Sequence, residues 1–315
     1  MATLRRSSSS YGGFADGVII RGMPLLTLYP GNVYWVDSNG GGGSKGTFAH
    51  PVATLAAAHA LVTSDNGDII CMKPGHAETY TATVDFSKSG FAIVGLGFGD
   101  NRPTFTNGVT GAGDDMFDFA GDDIVIYNLK WKEAAPSGSA ACIFNISGDN
   151  IHIENCYLEM GAKTTQLLTH DTTAKRGFTF VNNTIVGTAA GPDFGIKFEA
   201  LHNYSYIGGN RWLFSQSAGI DSGVIIYVSI GNEHMIENEV VLGMSTQNDF
   251  IIQTSVQNMS IMKNCSLMGQ DASYIIGDTK ANGFAFEWVM GLEEGKNTSP
   301  QLDIAGARPL ALTSD

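Results

Sequence analysis

The sequence predicts an all-β solenoid, a right-handed parallel β-helix with coils of about 27 residues, led by a capping helix and an extended N-terminal arm. Three observations predict it. An asparagine returns at a nearly fixed interval, and short apolar runs alternate with period two around it. The composition, with 39 Gly and only 16% charged residues, suits many short strands and turns rather than a helical bundle.

The recurring residues are Asn128 in DIVIYNLKW, Asn155 in HIENCYL, Asn183 in FVNNTIV, Asn210 in YIGGNRWLF, Asn238 in MIENEVV and Asn264 in SIMKNCSL. Their spacings are 27, 28, 27, 28 and 26 residues. Three residues after each stands an apolar one: Trp131, Leu158, Val186, Leu213, Val241 and Leu267. A second strand-like run precedes each unit, as in CIFNIS at 142–147 and VIIYVS at 224–229, with Gly, Asp, Asn and Ser between the runs. An asparagine between two strands has a physical reason: the chain must bend there, and Asn tolerates the left-handed conformation better than other non-glycine residues. Stacked coil on coil, the six amides are expected to form one inward-facing ladder that satisfies polar groups at the bend.

In chain order, residues 1–32 read as an arm. It opens on a serine run, is Gly-rich and Pro-broken, and carries Arg5, Arg6 and Arg21 against Asp16, in an otherwise acidic chain whose overall net charge is −13. Such a segment cannot bury enough of itself to offset its ordering entropy. Its candidate partner-binding residues are therefore Leu4, Arg5, Arg6, Tyr11, Phe14, Ile19, Ile20, Arg21, Leu25 and Leu26. ATLAAAHALV at 53–62 reads as a helix behind Pro51, placed to cover the open end of the solenoid. GDIICMKPG opens the first coil, the β-helix runs over 33–291, and 292–315 reads as a patternless tail.

The chemistry-bearing patterns are sparse. Paired carboxylates would have to recur at matching positions of adjacent coils, and the two columns flanking the asparagines hold no acidic stack. GGGGSKGT at 40–47 lacks the Gly-Lys-Ser/Thr order of a phosphate loop, and GLGFGD at 95–100 reads as a turn. The seven His show no metal-ligand spacing, so neither metal nor cofactor is expected. The acidic balance argues against nucleic acid, and no apolar run reaches the ~18 residues of a membrane span. Cys71, Cys142, Cys156 and Cys265 form no CxxC pair. Cys156 and Cys265 share a repeat position about 19 Å apart, which suits thiols made in a reducing cytoplasm.

The segment before the first coil carries a resemblance. Gly46, Thr47, Pro51, Thr54, Leu55, Gly67, Asp68, Pro74 and Gly75 follow one another in the opening pattern of pectin-lyase-like β-helix proteins. With its Ser-rich arm, the chain looks like a tailed-phage virion protein of that fold. The resemblance implies a non-catalytic head decoration (cement) protein on the capsid exterior. It would be made in the host cytoplasm, be anchored by the arm to the major capsid protein, and associate as a homotrimer. The rival expectation is a phage tail spike or fibre that binds or cleaves host surface polysaccharide.

Overall fold

The computed structural model describes residues 31–293, apart from 41–42, 112–113, 134–139, 162–163, 171–173, 188–193, 215–222, 245–248, 254, 256, 270–275, 278–283 and 288, together with 19–20 and 23–24. Among these residues the strands, apart from an antiparallel pair at Ile19–Ile20 and Met23–Pro24, assemble into parallel sheets of ten, nine, eight and four strands, each strand pairing with its counterpart one coil away. This is a right-handed parallel β-helix.

Each sheet contributes one inward column. In the ten-stranded sheet it runs Ile70, Ile93, Ile126, Ile153, Phe180, Ile207, Ile236 and Met262. In the nine-stranded sheet it runs Phe105, Trp131, Leu158, Ile185, Trp212, Val241 and Leu267. The eight-stranded sheet supplies Phe117, Phe144, Leu168, Ile196, Ile225 and Ile251. All are buried and belong to one continuous core, in which period-two alternation sends every second side chain inside.

At the N-terminal end, helix α1 (Leu55–Leu61) buries Leu55, Ala58 and His59 against the first coil. Its cap is Thr54, whose hydroxyl accepts from the Ala57 N–H at 3.1 Å. Pro51 lies before that cap rather than at the first helical turn, so the helix starts later than the sequence suggested.

The corners correct the asparagine register. The left-handed residue that follows six successive strands of the ten-stranded sheet, from Ile124–Tyr127 to Ser260–Lys263, is Asn128, Asn155, Asn182, Gly209, Asn238 and Asn264 in turn. Asn183 and Asn210 stand one position later, in a buried column with Leu129, Cys156, Glu239 and Cys265. The expected single ladder is therefore two. Asn155 Nδ2 donates to Asn128 Oδ1 at 3.2 Å in the corner column, while Asn238 and Asn264 face solvent. In the buried column Asn183 Oδ1 accepts from the Cys156 N–H at 2.8 Å, and Asn210 Oδ1 from the Asn183 N–H at 2.9 Å. The slip also moves the apolar partners. Ile185 and Trp212, not Val186 and Leu213, point inward, because a one-residue shift flips a strand's faces.

A second left-handed corner precedes the same strands at Asp123, Asn150, Gly177, Tyr204, Glu233 and Met259. At the other end, Met290–Glu293 pairs with Ser266–Gly269, so the last strand crosses the boundary expected at 291. Residues 294–315 lie outside the described residues.

Candidate functional site

The expected partner-binding residues Leu4, Arg5, Arg6, Tyr11, Phe14, Arg21, Leu25 and Leu26 lie outside the described residues. Ile19–Ile20 forms a two-residue antiparallel strand pair with Met23–Pro24. Asn128, Asn155, Asn238 and Asn264 line corners, whereas Asn183 and Asn210 bond between coils in the buried column beside them.

A group with chemical potential stands instead on the outer face of the eight-stranded sheet. Its outward column reads Asp85, Asp118, Asn145, Thr169 and Lys197 in successive coils. Asp115, three residues before Asp118, lies alongside Cys142 of the next coil. Two elements place the aspartates. The strand Phe117–Phe119 buries Phe117 and Phe119, which leaves Asp118 outside. The backbone carbonyl of Asp115 is held by the Thr83 hydroxyl at 2.6 Å, fixing the approach to that strand.

The two carboxylates have different surroundings. Asp118 Oδ1 accepts from the Ser147 hydroxyl at 2.8 Å and from Asn145 Nδ2 at 3.5 Å. Asp115 Oδ1 accepts from the Cys142 thiol at 3.0 Å. Burial holds the Asp115 carboxyl above the usual range, and the nearby Asp118 and Asp114 charges add to this against the lowering effect of the Cys142 bond. Burial, with the Asp115 charge, raises the Cys142 thiol far enough that it serves only as a donor. Further along the column Lys197 Nζ sits 2.5 Å from Glu199 Oε1, about 14 Å from the aspartates at three coil steps. The outer face thus brings together two carboxyl groups with unlike surroundings, one bonded by a thiol and one by a hydroxyl. Among the described residues no cluster of His, Cys, Asp and Glu is arranged to hold a metal ion.

From sequence alone, Asp114 and Asp115 in GDD at 113–115 read as solvated turn charges, and Asp118 lies outside the columns beside the asparagines. The signal available was the aspartate in FDF at 117–119 and its counterpart in VDF at 84–86, whose alignment depends on loop lengths.

No family model matches this chain, and no curated protein matches it. Solved structures do. A rhamnogalacturonan lyase superposes with a TM-score of 0.55 and 14% identity, covering 87% of this chain and 78% of its own. The pectin methylesterase from Aspergillus niger gives 0.53 and 15%, covering 90% and 91%. A Geobacillus virus E2 protein, ORF18, gives 0.43 and 12%, covering 88% and 64%. The first two establish the right-handed parallel β-helix fold for this chain. They also overturn the expectation that the chain is not an enzyme: the structures sharing its fold are polysaccharide-acting enzymes. That expectation rested on the columns beside the asparagines, whereas the outer-face aspartates come together only through the pairing of separate coils.

Proposed function

We propose that this chain is a virion protein that works on an extended polysaccharide laid along the outer face of the eight-stranded sheet. In this reading Asp115 holds the proton given to the leaving oxygen and Asp118 is the charged partner. Asn145, Thr169 and Lys197 bind the chain further along the axis. The observation that carries it is the placing of Asp115 and Asp118 together on one outer face, the first bonded by the Cys142 thiol and the second by the Ser147 hydroxyl. Coils repeat at about 4.8 Å, close to the advance of one sugar residue, so an extended glycan keeps register with successive outward side chains.

The test is a panel of pectic and bacterial capsular polysaccharides assayed with the full chain for new reducing ends and unsaturated products. Turnover that falls about 100-fold or more in both Asp115→Asn and Asp118→Asn is expected. Turnover unchanged in both variants, or no turnover and no retardation in affinity electrophoresis across the panel, refutes it.

The virion placement rests on the sequence resemblance. The reading takes residues 1–32 as the attachment, the major capsid protein as the partner, and three copies as the unit on the capsid exterior. Co-sedimentation of the protein with undecorated particles tests it, and a protein that stays in the supernatant at every particle concentration removes it.

A further inference from the structure

The outer face of the ten-stranded sheet changes character along the helix. Over its later coils it carries His152 and Glu154, Thr179, Tyr206, then Met235 and Glu237, all partly exposed. Over its first strands it is apolar. Val33, Ile69, Ala92 and Val125 make one outward column, and Trp35, Cys71, Val94 and Tyr127 make the next. Trp35, Ile69, Cys71, Ala92 and Val94 form a cluster of their own, separate from the interior core, and each is at most 1% exposed. An outer sheet face this apolar and this dry has something lying on it.

The loop after the first strand accounts for part of the cover. Phe48 packs edge-on against Trp35 with ring centroids 4.9 Å apart, and Lys73 Nζ stands over the Phe48 ring at 4.6 Å. That loop runs beside the first strand, through Trp35 N–H to Gly46 and the Val36–Val52 bridge. Ala92 and Val94 are two strands further on, about 10 Å from it.

We propose that residues 19–30 of the same chain lie across this face, so that the arm is docked on its own body before it meets any partner. The segment IIRGMPLLTLYP is apolar at nine of its twelve positions. It ends beside the face: the next residue, Gly31, donates its N–H to the Gly67 carbonyl at 3.2 Å. A Cβ on Gly31 would stand 2.4 Å from Asp68 Oδ1, so the chain enters the first coil pressed against it. The length fits. The Ile19–Ile20 and Met23–Pro24 pairing folds the segment back on itself, and a leg of five extended residues spans about 16 Å. Three strand steps from Val33 to Val125 span about 14 Å. The tail at 294–315 starts at the opposite end of the ten-stranded sheet, about 43 Å away. This narrows the attachment taken above as residues 1–32: residues 1–18, with Leu4, Arg5, Arg6, Tyr11 and Phe14, are then the part of the arm left for a particle.

Cys71 reports on this directly, because it lies on the covered outer face, whereas Cys156 and Cys265 belong to the interior core. The experiment is maleimide labelling of the native full-length protein with peptide mapping by mass spectrometry. In the wild type Cys71 is expected to stay unlabelled over hours at every protein concentration. In the full-length double variant Leu25→Asp/Leu26→Asp its labelling is expected to rise about 30-fold or more, with Cys156 and Cys265 still protected as proof of an intact helix. Cys71 protected equally in the variant overturns the inference. So does opening only in Leu310→Asp/Leu312→Asp, which would make the tail the cover, or wild-type protection that fades on dilution, which would make it another copy. Should Leu25→Asp/Leu26→Asp not fold, Leu28→Asp is labelled in its place and judged on the same criteria.

Discussion

Replacing His202 by leucine should cost little at neutral pH and stabilise the protein by about 3 kcal/mol at pH 4. The reason lies in three histidines buried where a solenoid core is ordinarily apolar. His170 occupies the inward column of the eight-stranded sheet between Ile146 and Phe198. His202 comes from the four-stranded sheet, and its ring lies 4.6 Å from His170 and 6.1 Å from His234. His234 is satisfied by Ser205 Oγ at 2.6 Å and Gln257 Oε1 at 3.0 Å. Both ring nitrogens of His170 and of His202 have no hydrogen-bond partner among the described residues. Phe178 and Phe198 surround them instead.

Burial lowers all three, and the like charges of the neighbouring rings add to it for His170 and His202. His202 falls to about 3 and His234 to about 4, while His170 lies well below its ordinary value, with Lys175 contributing. These are depressed histidines, so the unfolded chain takes up protons from pH 6.5 downward while the folded one does not. The stability they permit is complete above pH 6.5 and drains away as pH falls towards 3 to 4. Between pH 6.5 and 4, His202 alone accounts for about 3 kcal/mol at roughly 1.4 kcal/mol per unit. Leucine removes the titration, and because the His202 nitrogens lack partners it breaks no hydrogen bond. Urea midpoints followed by circular dichroism at pH 7.5, 6, 5 and 4 measure it. A variant that loses stability with acid in parallel with the wild type would refute the reasoning, as would one already about 3 kcal/mol weaker at pH 7.5.

Four further outcomes follow from the buried carboxyl, the corners and the aspartates. Glu239 is buried with its carboxyl pushed up to about 7 by burial, despite bonds from Asn210 and Trp212. Its stabilising form is the protonated one, so wild-type stability should fall by about 3 kcal/mol between pH 5 and 8, a slope that Glu239→Gln abolishes in the same denaturation series. Tyr204 holds φ at 60° and is 59% exposed at a corner where an earlier coil uses Gly177, so Tyr204→Gly should raise stability by about 1 kcal/mol. Asn155→Ala, at φ 53° and bonded to Asn128, should lower it by about 1–2 kcal/mol. Asp118→Asn removes a charge that raises Asp115, so the Asp115 titration, followed by carboxyl-carbon NMR, should move to lower pH.

The sequence by itself determined the solenoid. A period near 27 with period-two alternation leaves one economical way to bury the apolar residues, which is to stack them in columns inside parallel sheets. It also placed a corner after four strands of the ten-stranded sheet, where Asn128, Asn155, Asn238 and Asn264 adopt the left-handed conformation. Where two candidates adjoin, in VNN at 181–183 and GGN at 208–210, only the tertiary structure decided which one bends. Asn182 and Gly209 turn the chain, which leaves Asn183 and Asn210 to close hydrogen bonds between coils inside the core. Local preference cannot separate neighbours that both tolerate the turn; the register of the coil below can. The aspartate column was beyond the sequence for a related reason. Asp85, Asp118 and Asn145 meet across irregular connections, and which of their residues share a face is set by strand pairing rather than by spacing.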